Sequence, residues 1–97
     1  MTQKQAYEKK LQSKFDEWQA KIDQLKAKAE QAEAEVQLEM YKQIEELRIK
    51  QEHAKDKMLS LQSAGENAWQ ELKTGVEKAW DDLGDAVQSA YSKFNKD

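Results

Sequence analysis

The chain has 97 residues, a net charge of −3, no proline and no cysteine, and its charged residues (36%) almost equal its apolar ones (38%). That balance excludes a disulfide-stapled scaffold, offers no apolar run long enough for a membrane-spanning helix, and leaves a self-contained round core thin. No block of five or six like charges marks a nucleic-acid patch, so nucleic acid is disfavoured as a partner.

Ala, Glu, Lys, Gln and Leu dominate. These are strong helix formers, so an all-α fold is expected even at a mean hydropathy of −1.09. The amino-terminal MTQKQAYEKKLQSKF lacks the apolar centre of a secretory signal, and a cytoplasmic location is the expectation.

From Tyr7 the apolar residues Leu11, Phe15, Trp18, Ile22, Leu25, Ala29, Ala32, Val36, Met40, Ile44 and Leu47 follow in steps of three or four. That spacing predicts one long amphipathic, coiled-coil helix over about 4–61. The steps from Trp18 to Val36 are heptad-like, whereas Val36, Met40, Ile44 and Leu47 insert a stutter. Near its middle, KAKAEQAEAEV supplies Ala27, Ala29, Ala32 and Ala34, small residues where two such helices could cross closely in an antiparallel dimer.

Ser63 to Asn67, SAGEN, is the candidate break. Ser63 with Glu66 fits a capping box at a helix start, and Gly65 suits a helix end. The expected form is therefore a helical hairpin, with a second helix over about 65–95; the alternative is one continuous helix, because the stripe keeps its phase across the site. Residues 1–62 and 63–97 are read as two parts of a single domain.

The second part writes AWQELKTGVEK, AWDDLGDAVQS and AYSKF, a repeat of eleven residues. Counting in elevens gives Leu25, Val36, Leu47, Met58, Trp69, Trp80 and Tyr91, all apolar, and a period of 3.67 residues per turn predicts a nearly straight seam. Trp69, Leu72, Val76, Trp80, Leu83, Val87, Tyr91 and Phe94 share a sector about 100° wide. An arc that broad suits two neighbouring helices or a lipid surface. Gly75 and Gly84 lie near its borders, where either close helix approach or a tolerated surface glycine explains them.

Chemistry is sparse. His53 is the single histidine, which rules out zinc sites needing several His or Cys ligands and Cys-His catalysis. Asp81, Asp82 and Asp85 lack the spacing of a calcium loop, the serines have no neighbouring base, and no phosphate-binding glycine loop exists. No catalytic residue, cofactor or metal is expected.

The run AWQELKTGVEKAWDDLGDAVQSAYSKF, preceded by KQIEELRIKQEHAKDKMLSLQSAGEN and AYEKKLQSKFDEWQAKIDQLKAKAEQAEAE, resembles short bacterial proteins described as coiled-coil domain-containing. The resemblance implies an all-helical bacterial protein, with no catalytic residue and no established partner. The eleven-residue repeat also resembles those of exchangeable apolipoproteins.

The expected function is a non-enzymatic helical module that self-associates or binds a protein partner, with Tyr7, Phe15, Trp18, Leu25, Val36, Leu47, Met58, Trp69, Leu72, Val76, Trp80, Leu83 and Tyr91 as its core and contact residues. Its motive is an apolar series in a chain too polar to bury it alone. Residues 1–28 carry seven lysines against four acids and residues 66–85 two against six, so oppositely charged ends of two chains could meet. The alternative is an amphipathic lipid- or granule-surface binder. It is disfavoured because helices on anionic membranes are usually rich in Lys and Arg on the polar face.

Overall fold

Thr2 opens the first helix with a reciprocal cap. Its hydroxyl accepts from the Gln5 amide at 3.1 Å, and its own amide donates to Gln5 Oε1 at 3.1 Å. Two of the free amides at the helix start are thereby satisfied. The computed structural model describes residues 2–94 and contains three helices: α1 (Gln3–Glu30), α2 (Ala34–Ser63) and α3 (Trp69–Phe94). They form a bundle of 51 × 20 × 16 Å in which α2 runs antiparallel to both neighbours and α1 and α3 run parallel. Among the described residues no helix is long and apolar enough to cross a membrane.

The all-α architecture matches the expectation, and the chain does turn at Ser63–Asn67. The continuous-helix alternative is therefore excluded. The caps differ from those predicted. Ser63 is the last residue of α2, so it cannot cap α3; instead the Gly65 carbonyl accepts from Ala68 at 3.1 Å and Trp69 at 3.3 Å. No glycine here has positive φ. Lys4 ties this end together by donating to the carbonyls of Gln62 (3.1 Å) and Ala64 (2.7 Å), free acceptors at a helix C-terminus. The predicted end of the last helix at 95 lies outside the described residues.

The expected single helix over 4–61 is corrected: it is folded in two at Gln31–Glu33. No proline or glycine marks this turn, and its alanines favour helix locally. The break is sustained from outside. Folding back brings Leu11, Ile22 and Leu25 of α1 into one buried cluster with Met40, Ile44, Leu47 and Leu61 of α2, and each buried side chain of this size contributes about 1.5–3 kcal/mol. That outweighs the helical hydrogen bonds lost in three residues, because Gln31 and Ala32 bond back to Lys28 and Ala29, and Gln37 Nε2 donates to the Ala29 carbonyl at 3.0 Å. The alanines expected at a crossing of two chains thus serve a turn within one chain, where Ala29 is fully buried.

The turn also resets the stripe. In α2 the inward positions are Met40, Ile44, Leu47, Gln51, Ala54, Met58 and Leu61, in steps of four and three. This is a seven-residue pattern, and the eleven-residue spacing of Trp69 and Trp80 is a seven plus a four on the same kind of seam. Gln51 occupies one inward position and donates to Gln19 of α1, so the polar step is satisfied. Val36, assigned to the core by the eleven-residue count, is 45% exposed, since the chain has turned away before reaching it. Leu72 is 39% exposed in the first turn of α3, where it lines the groove toward Ser60 of α2.

The two α3 glycines have opposite reasons. A Cβ on Gly84 would lie 2.7 Å from Trp18 Cζ2, so Gly84 is where α1 and α3 approach closely; a Cβ on Gly75 would meet nothing within 4 Å. Gly75→Ala should raise the unfolding free energy by about 1 kcal/mol through helix propensity alone. Gly84→Ala gains the same propensity but displaces Trp18, an overpacking cost of about 1–3 kcal/mol, and should lower stability. Urea melts of the two variants are expected to move in opposite directions.

Candidate functional site

The aromatic residues from the two ends of the chain gather along the α1–α3 contact. Tyr7 packs on Trp69 with ring centroids 5.7 Å apart, and Phe15 and Trp18 pack on Trp80 at 5.9 and 6.3 Å, all in tilted geometry. Such pairs add about 0.5–1.5 kcal/mol beyond their buried area. Trp80 is 3% exposed and donates its indole N–H to the Leu11 carbonyl at 3.1 Å, so its one polar atom is satisfied inside the core. Lys73 lies over Tyr7 (5.2 Å) and Trp69 (5.9 Å), and Lys21 over Tyr91 (5.6 Å). The basic amino-terminal and acidic carboxy-terminal segments do meet, but within a single chain.

Of the residues singled out in the sequence, Leu25, Leu47, Trp69, Val76, Trp80 and Leu83 are buried, and Tyr7, Phe15, Trp18, Met58 and Tyr91 are half-buried. One chain buries this series by itself. Ala54, Leu61, Val87 and Ala90 are also buried, with Leu11, Ile22, Ala29, Met40, Ile44 and Ala79. The first two belong to the seven-residue seam of α2 and are passed over by a count of eleven.

Tyr7 holds the one buried side-chain polar atom without a hydrogen-bond partner among the described residues, its hydroxyl. Burial first, and then the carboxylates of Glu77 and Asp81 that oppose a phenolate, together push the phenol up to about 12. Because the folded value lies above the usual 10, this contribution is fully present below pH 10 and is lost as pH rises toward 12. Tyr7→Phe should remove that part of the alkaline loss. It should cost little or nothing at pH 7, where an orphaned hydroxyl is deleted. Thermal melts of both proteins at pH 7 and at pH 11 test this.

What the folded chain leaves uncovered is concentrated on α2. Leu38 is 72% exposed, Ile49 61%, Leu59 50% and Tyr41 41%. At 100° per residue, Leu38 and Ile49 lie on the side of α2 opposite Met40 and Leu47, with Tyr41 and Leu59 on one flank. Single exposed apolar residues are ordinary; these four share one side of α2, spread along its length from Leu38 to Leu59. Glu45, Glu52 and Asp56 lie within the same sector and Lys42 and Arg48 at its edges, so charges of both signs stand between these apolar side chains. Sequence reading passed over these residues because they are off the seam; large apolar side chains out of phase with the core were the available signal.

Candidates for chemistry stay dispersed. His53 is exposed, Asp82 is paired with Lys50 at 2.9 Å across the α2–α3 contact, and Asp81 lies on the α1 side of α3. Among the described residues no group of three His, Cys, Asp or Glu is arranged to hold a metal ion. No family model, curated protein or solved structure matches the chain.

Proposed function

We propose that the protein is a non-enzymatic interaction module that self-associates through the outer face of α2. The observation that carries this is the exposure of Leu38, Tyr41, Ile49 and Leu59 on a helix whose opposite side already forms the core. Large apolar side chains on the outer side of an amphipathic helix are what a neighbouring helix would cover. A second copy is the cover, since two antiparallel copies of one helix face close as a two-fold pair that brings Leu38 of each opposite Leu59 of the other.

One helix face of about 45 Å is a small interface, so a weak, concentration-dependent dimer is expected. Sedimentation equilibrium across the micromolar range tests it, with Ile49→Lys shifting the protein to monomer while leaving its helicity intact. A wild-type chain that stays monomeric throughout that range overturns the reading. The lipid-surface alternative fits less well, because Trp69 and Trp80 are spent in the core and the bundle would have to open to offer them. Uptake by vesicles with a change in tryptophan emission would favour it.

A further inference from the structure

Gly75 weakens α3 relative to alanine, yet no packed neighbour requires it. It forms the shared floor of two adjoining cavities in the groove between α2 and α3. The first, of about 560 Å³, is lined by His53, Lys57, Lys78, Ala79 and Asp82 besides Gly75. The second, of about 170 Å³, adds Ser60, Glu71, Leu72 and Val76 to Lys57 and Gly75.

The charges along this groove are uneven. Asp82, the only acid of the first cavity, is held by Lys50 at 2.9 Å, whereas among the described residues Lys57 and Lys78 have no ion-pair partner. That end offers two uncompensated ammonium groups and an imidazole above a floor of Gly75 and Ala79. The other end offers Leu72, exposed beside Val76, with one acid, Glu71, on its rim. An apolar floor with a few convergent polar groups is the usual make-up of a small-molecule site, and ammonium groups without partners select an anion.

We propose that the α2–α3 groove binds a small amphipathic anion, a phosphate or carboxylate head on a short alkyl chain. Lys57, Lys78 and His53 take the head, and the chain lies along Gly75 toward Leu72. Gly75 is glycine because a side chain there would fill the site.

Calorimetric titration with octyl phosphate, kept below its micelle-forming concentration, tests this on the full chain. One site per chain is expected. Inorganic phosphate, which lacks the chain, and octanol, which lacks the charge, should each bind at least about ten-fold more weakly. Lys57→Gln with Lys78→Gln should lose about ten-fold or more, and Gly75→Leu should abolish binding, both at unchanged helicity. If Gly75→Leu disturbs the fold, Gly75→Ala substitutes for it and should weaken binding while stabilising the protein. No binding of octyl phosphate, equal binding of octanol, or undiminished binding by the glycine variants overturns the proposal. So does capture by anionic phospholipid vesicles without binding of the monomeric probe, which would make the occupant a membrane surface.

Discussion

Trp80→Ala is expected to lower the unfolding free energy by about 3–5 kcal/mol, the largest loss from any single truncation in this chain. Trp80 is 3% exposed, touches Phe15 and Trp18 from the far end of the sequence, and bonds the Leu11 carbonyl. Its removal leaves a void where α1 and α3 meet and deletes that hydrogen bond. For a domain this small the loss approaches the whole of a typical stability of about 5–15 kcal/mol. Glu71→Ala, at an exposed position of α3, should shift stability by less than about 0.5 kcal/mol and provides the control. Equal melts for the two variants would show that the aromatic cluster is not what holds α3 in place.

Leu47→Ala should cost about 2–5 kcal/mol, whereas Val36→Ala, eleven residues earlier, should cost under about 1 kcal/mol. The pair separates the folded turn at Gln31–Glu33 from a straight helix. Along one unbroken seam the two residues would be equivalent. In the bundle Leu47 is 2% exposed between α1 and α3, and Val36 is 45% exposed just beyond the turn. Losses of similar size in chemical denaturation would mean that residues 31–33 remain helical.

The stutter between Val36 and Met40 is where the turn can be recognised afterwards. Taken along a line, it is a small irregularity in an otherwise continuous stripe. In the folded chain one seam ends at Ala29, the direction reverses at Gln31–Glu33, and the stutter falls just beyond, at the start of the α2 seam. The Met58 to Trp69 register was misleading for the same reason: direction reverses between them, so their common phase carries no common face.

The outer face of α2 and the groove were harder to foresee. Leu38 and Ile49 are noticed only once the inward side of α2 is known. Lys57 becomes a neighbour of Gly75 and Lys78 only when α3 packs against α2.

By itself the sequence determined the helical class, the turn near Gly65 and the apolar set from which the core is drawn. These rest on local terms, namely propensity, the period of three to four residues and the scarcity of glycine and proline. The tertiary structure alone decided the second turn, the exposure of Val36 and Leu72, the different roles of Gly75 and Gly84, and the meeting of Trp18 with Trp80. The physical reason is one of scale and range. Helix propensities differ by less than about 1 kcal/mol per residue among ordinary side chains, while burial of one leucine contributes about 1.5–3 kcal/mol. The burial term depends on partners distant in sequence, so an alanine-rich segment with every local reason to stay helical is bent where Leu11, Ile22 and Leu25 gain the cover of α2.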